Sequence, residues 1–191
     1  MHDQQANQPN VGELSVLGHP EAEVEELVAG FRVPGAVIDF AARLLPSIAP
    51  ALTPPHSVRR HRGELDLRST GRIEATLIEA IESALTNEGT IGVIVADAAV
   101  TRVRRMMESR GLRYDLLGEN EQLFDARLDL VPASLAKGLE FDHVVLLEPA
   151  DIVAGEPDEV TGLRRLYVCL TRAVTSLVVV HAAELPTALA A

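Results

Sequence analysis

The sequence predicts an α/β fold: a mainly parallel sheet of about five or six strands with helices on both faces. Two observations carry this. Short β-branched apolar runs alternate along the chain with stretches of helical period. Hydrophobic residues make up 47% of the 191 residues while aromatics make up 3% and Trp is absent, so the core must be built from Val, Leu, Ile and Ala, a palette suited to strands buried on both faces. The length allows one ordinary domain and leaves no room for a compact second one.

Taken in order, residues 1–21 are polar and rich in Gln, Asn, Gly and Pro, and form a tail or the remnant of a preceding region. Residues 24–32 (VEELVAGFR) fit a short helix or a strand by pattern alone. Pro34 and Gly35 open a helix carrying Val37, Ile38, Phe40 and Ala41 on one face, expected to stop at Pro46. Residues 46–68, with three further prolines and the basic cluster at 59–62, are expected to be an exposed connection. Residues 74–85 repeat Leu77, Ile78, Ile81 and Leu85 at helical spacing. A strand at 90–96 and a crossover helix at 98–110 follow, closed by Gly111. Strands are predicted at 113–117, 129–133 and 143–147, a helix at 160–172 and a last buried strand at 176–181.

The 17 Lys and Arg against 28 Asp and Glu give a net charge of -11, which repels a polyanion and leaves little non-specific affinity for nucleic acid. No apolar run approaches the roughly 20 residues that span a bilayer, the start lacks a signal-peptide core, and Cys169 has no cysteine partner, so a cytoplasmic protein without membrane contact is expected. His56, His61, His143 and His181 show no mutual metal spacing, so no zinc or other metal site is expected. Arg102, Arg104 and Arg105 fit a solvated helix face, and Tyr167 and Cys169 fit the core.

Three segments carry chemistry: GFRVPG at 30–35, AKGLEFDHVV at 136–145, and LYVCLTRA at 166–173. Lys137, Gly138 and Glu140 fall in a tight turn between two strands, at a sheet edge of the kind where ligands sit. Glycine there lets a phosphate approach the backbone, and a carboxylate accepts hydrogen bonds from a ribose. Arg172, near a helix C-terminus, fits either a carbonyl cap or a cation aimed at a transferring phosphate, and Arg32 fits either an exposed strand-end arginine or a second such cation.

These segments resemble motifs of UvrD-like superfamily 1 helicases. AKGLEFDHVVLLEP is similar to motif V, LYVCLTRAVTSLVVV to motif VI and VEELVAGFRVPGAVIDFA to motif IV, in the family's order. The resemblance implies a second RecA-like domain over 22–191, a three-layer sandwich, and favours a strand at 24–32. It implies that Arg32 and Arg172 contact the γ-phosphate of ATP, that Gly138 lies beside that phosphate and that Glu140 bonds the ribose, with Lys137 in the same loop. The Walker A pattern that cradles phosphates and places Mg²⁺ is absent from all 191 residues. ATP with Mg²⁺ is therefore expected to be held together with an N-terminal RecA-like domain of the same protein, and this chain is expected not to hydrolyse ATP alone.

Two departures matter. Where many family members carry Thr-Leu-His to hold single-stranded DNA, the matching positions are Pro132, Ala133 and Ser134, which leaves Ser134 as the candidate nucleic-acid contact and weakens the grip. The chain between motifs IV and V is also too short for the large insertion of true UvrD helicases. With the PALTPPHSVRR stretch, these features resemble the HelD group, whose members act on RNA polymerase. A competing expectation is a non-catalytic module that binds polymerase or another protein.

Overall fold

The computed structural model describes residues 32–55, 64–119 and 126–190. Its six strands, β1 (Glu64–Ser69), β2 (Ile91–Val95), β3 (Asp115–Leu116), β4 (Leu128–Pro132), β5 (Phe141–Leu147) and β6 (Ala173–His181), form one sheet in the order β1-β6-β5-β2-β4-β3. Every pairing is parallel. Among the described residues seven α-helices accompany them: α1 (Gly35–Ala42), α2 (Leu45–Ile48), α3 (Ile73–Leu85), α4 (Val100–Ser109), α5 (Pro149–Ala154), α6 (Glu159–Leu170) and α7 (Thr187–Ala190). The expected strand over 24–32 and the expected tail lie, apart from Arg32, outside the described residues.

Strand alternation splits the core into two layers. Ile94, Val131, Val144, Leu146, Leu177 and Val179 face α1, α2 and α6, while Val93, Val95, Leu130, Val145 and Leu147 face α3 and α4. This is the three-layer sandwich that a parallel sheet requires. Helix α3 buries Leu77, Ile78 and Ile81, and α6 begins at Asp158, whose carboxylate accepts the Thr161 N–H at 2.8 Å as an N-cap. Tyr167 and Cys169 lie in the first core layer.

Three elements differ from the expected ones. The stretch at 46–68 is not all connection: its end forms β1, paired along one side with β6 from Glu64↔Ser176 to Ser69↔His181. Leu65 and Leu67 alternate with Asp66 and Arg68 and remain partly exposed at the sheet edge, so the segment lacks the apolar run that marks an inner strand. Pro46 also does not end the helical region; it occupies the first turn of α2, where its missing N–H has no role to lose. Helix α5, between β5 and α6, is only 6 residues long, too short for a helical period to show in the sequence.

Candidate functional site

Parallel strands give the sheet two chemically different edges, and the candidate residues divide between them. Strands β5 and β6 start at Phe141 and Ala173, which are register partners. The loop 136–140 and Arg172 immediately precede them, so both lie at the amino edge of the sheet. Open parallel sheets more often bind ligands at the opposite, carboxyl edge. The cause is the path from β4 to β5, which leaves the carboxyl end of one strand and returns to the amino end of the next.

At the amino edge the fold brings together residues distant in sequence. Arg32 Nη1 donates to Glu140 Oε2 at 3.2 Å, with side chains 74% and 50% exposed. Arg172 is partly buried, and its guanidinium donates from Nε to the Val168 carbonyl at 2.8 Å, from Nη1 to the Leu139 carbonyl at 3.3 Å and from Nη2 to Thr171 Oγ1 at 3.2 Å. It therefore caps the C-terminus of α6, as a basic side chain at a helix end can, and also ties that end to the loop. Its own carbonyl accepts the Phe141 N–H at 3.0 Å. Gly138 sits at φ +77, and no atom lies within 4 Å of where a Cβ would be, so this backbone faces open space. Lys137 is exposed on the same turn.

The neighbouring amino-edge contacts are structural and escaped the sequence reading. Asp142 accepts both the N–H and the hydroxyl of Thr90, at 2.8 and 3.1 Å, and these bonds, led by the backbone one, hold its carboxyl below the usual carboxylate range. His143 is buried between Ser176 Oγ at 2.7 Å and the Glu88 carbonyl at 3.0 Å; a carbonyl can only accept, so Nε2 carries the proton there. Burial pushes the Tyr167 phenol up to about 12 and the Cys169 thiol up to about 12, so neither serves as a nucleophile near neutrality.

The carboxyl edge holds a cleft of about 710 Å³ beyond the ends of β2, β4 and β5. Helix α4 leaves β2 on one face and α5 and α6 follow β5 on the other, so the cleft lies where the connections reverse direction, the usual ligand position in such sheets. Ser134 lies here, apart from Arg172 and Glu140. Its N–H donates to Asp97 Oδ1 at 3.1 Å and its hydroxyl to Asp97 Oδ2. Both donors that could hold a phosphate are thus spent on a carboxylate. Arg165 spans the wall, bonding Glu156 at 2.8 Å and the Ser134 carbonyl at 3.4 Å. No sequence signal marked Asp97 as the partner of Ser134, because the two are joined only by the neighbouring strands β2 and β4.

Elsewhere the arginines behave as a solvated face: Arg104 pairs with Glu108 at 3.1 Å and with Glu119 at 2.9 Å. Among the described residues no group of three or more His, Cys, Asp or Glu side chains is arranged to hold a metal ion. Among the same residues no helix is long and apolar enough to cross a membrane.

No family model matches the chain, and no curated protein matches it. Among solved structures, it is similar to the C-terminal domain of a possible DNA helicase from Lactobacillus plantarum WCFS1, with a TM-score of 0.62 and 20% identity, over 85% of this chain and 93% of that one. It is also similar to the Arterivirus nonstructural protein 10 helicase, in complex with DNA and alone, with TM-scores of 0.44 and 0.45 at 10% identity; the chain spans 33% of those proteins. The likeness to the Lactobacillus domain, with the six-stranded parallel sheet between two helical layers, shows a RecA-like α/β fold.

Proposed function

We propose that this chain is the second RecA-like domain of a superfamily 1 helicase-type motor, meeting ATP at the amino edge of its sheet. One observation carries the reading: Arg32, Glu140 and Arg172, from three separate segments, converge on one edge beside the open backbone of Gly138. Two guanidinium groups, the Lys137 ammonium, an exposed glycine backbone and a carboxylate acceptor form a donor set that fits a nucleoside triphosphate. Arg32, Arg172, Lys137 and Gly138 would face the phosphates and Glu140 the ribose. ATP supplies the hydrolysable phosphoanhydride, and an N-terminal RecA-like domain of the same protein supplies the phosphate loop and the Mg²⁺ site.

Within that class, the HelD-type reading, an ATPase acting on RNA polymerase, is favoured over a DNA translocase by the carboxyl edge. There Pro132 has no N–H, both donors of Ser134 go to Asp97, and the overall charge is -11. A protein-binding module without ATPase activity is the second reading. It draws on the same edge: Arg32 and Glu140 neutralise each other and Arg172 is bonded within the chain.

The test is ATP turnover by the full-length protein, alone, with single-stranded DNA and with RNA polymerase. Turnover that ignores DNA and responds to polymerase is expected. Arg32→Ala is expected to lower turnover by about 10³-fold or more, the usual effect of losing a phosphate-facing arginine. Turnover unchanged in Arg32→Ala removes that role, and no nucleotide binding by the full-length protein leaves the binding-module reading.

A further inference from the structure

We propose that the cleft between α3 and α4 is a docking site for an acidic segment of a partner protein, one in which Asp and Glu flank an apolar side chain. Five arginine side chains, those of Arg72, Arg102, Arg105, Arg110 and Arg113, form no hydrogen bond or ion pair among the described residues, and all are exposed. The other described arginines each donate to a carboxylate or a carbonyl of the chain. The unbonded ones are not scattered: all but Arg72 lie on α4 or just beyond its end. The acids nearest in sequence do not answer them. Glu108 is taken by Arg104 at 3.1 Å and by Tyr114 at 2.9 Å, and Glu119 by Arg104 at 2.9 Å. Arg102 and Arg105, three apart on one helix, are like charges that disfavour the helix carrying them.

Arg72, at the start of α3, and Arg110, at the end of α4, line one cleft of about 550 Å³, whose apolar wall includes Ile78 and Met106. Ser109 also lines it, and Arg105 lies one turn before Ser109 on the same face of α4. Glu74 is in the lining too and cannot balance these guanidinium groups together. Guanidinium forks hold carboxylates through paired hydrogen bonds, while the flexible thioether of Met106 adapts to an apolar side chain of varied shape. The chemistry is that of a short acidic peptide with one apolar anchor. A nucleic acid fits less well. The chain as a whole carries -11, and α3 presents exposed Glu74, Glu79 and Glu82 beside the arginines, so the basic surface is too short for a phosphate backbone to follow. No nucleotide is involved: the cleft lies on the α3 and α4 side of the sheet, opposite α6.

Fluorescence anisotropy with the full chain and a labelled peptide of Asp and Glu around a central Leu tests the site. The same peptide with a central Ser and an oligodeoxythymidine of matched charge serve as comparisons. The Leu peptide is expected to bind more tightly than either, and to weaken as salt is added. Joint replacement Arg72→Ala and Arg110→Ala is expected to weaken it about 10-fold or more, the size of losing hydrogen bonds to charged groups. Arg105→Glu should weaken it as well, whereas Arg68→Ala, which removes an arginine already paired with Asp66, should not. Met106→Gln should erase the preference for Leu over Ser. The replaced arginines are exposed and unbonded, so their variants should keep the wild-type Tm.

Equal affinity of wild type and the Arg72→Ala, Arg110→Ala protein for the Leu peptide overturns the proposal, and so does the absence of binding. Tighter binding of the oligonucleotide than of the Leu peptide, lost in the same variant, overturns it in favour of a nucleic-acid face. Equal binding of the Leu and Ser peptides by wild type removes the apolar anchor and with it the cleft as the seat. A protein that binds the peptide but no ATP leaves this site standing while the function proposed above fails.

Discussion

Gly92→Ala tests whether the amino-edge loop is seated on the core. Gly92 lies on β2, an inner strand of the sheet, and its missing side chain leaves the space that the Phe141 ring fills. A Cβ at Gly92 would stand 2.5 Å from Phe141 Cδ2 and 2.7 Å from both Cε2 and Cγ. Carbon atoms pack best about 3.5–4.0 Å apart, so the overlap is roughly 1 Å. The obstacle is a rigid ring, buried beneath the sheet, with no flexible end to swing away. Overpacking of this kind costs about 1–3 kcal/mol. Alanine recovers about 0.5–1 kcal/mol of backbone entropy relative to glycine, leaving a net loss of about 1 kcal/mol at the middle of both ranges and at most about 2.5 kcal/mol.

For a domain of this size each kcal/mol moves Tm by about 2–4 °C, so Gly92→Ala is expected to melt roughly 2–4 °C below wild type by calorimetry or circular dichroism. Phe141→Leu, which shortens the ring, should restore stability in the Gly92→Ala background while destabilising on its own, a non-additivity that follows from direct contact. A Gly92→Ala protein that melts at or above wild type would refute the contact, and with it the claim that the core sets the position of the residue after Glu140.

Gly162→Ala, on the face of α6 that α5 crosses, would drive a Cβ into the Val153 carbonyl, a backbone atom that cannot rotate aside. Despite alanine's helix advantage of about 1 kcal/mol, a lower Tm is expected; a higher one removes the close approach. Asp129, half-buried and opposite Asp115 on β3, has its carboxyl pushed up to about 6, first by desolvation and then by that like charge. Since the folded value lies above that of the unfolded chain, the ionised form costs stability above about pH 6, and the cost is relieved as pH falls from 6 to 4. Asp129→Asn should therefore stabilise the protein at pH 7.5 by about 1 kcal/mol after allowing for solvent screening, with no gain at pH 4; denaturation at the two values decides, and an equal gain at both sinks the assignment. Asp97→Ala frees both donors of Ser134 and should raise affinity for single-stranded DNA in a filter-binding assay, a gain that Ser134→Ala in the same background should cancel. No change would mean that the carboxylate is not what bars phosphate from that edge.

Local pattern was enough for the element types wherever an element is long and buried on its sequence-visible face. The period of Leu77, Ile78 and Ile81 marks α3, and the apolar runs at 91–95 and 144–147 mark the inner strands, because burial on both faces leaves no polar position to interrupt them. Strand β1 escaped for the converse reason: an edge strand covered on part of each face carries Asp66 and Arg68 between its leucines and resembles a loop. Among the candidate residues, Arg32, Lys137, Gly138, Glu140 and Arg172 were singled out by short motifs, since residue type and local spacing are properties of the chain itself.

Which edge those residues occupy, and what each one touches, depends on contacts no local window contains. The path from β4 to β5 sends the 136–140 loop to the amino edge and leaves Ser134 at the carboxyl edge, although the two lie close in sequence. The pairing of Ser134 with Asp97, of Arg32 with Glu140 across 108 positions, and of Arg172 with the Leu139 carbonyl arises from strand order and register. Hydrogen bonds act over about 3 Å. Sequence can therefore nominate a donor, but the packed sheet determines which acceptor lies within reach.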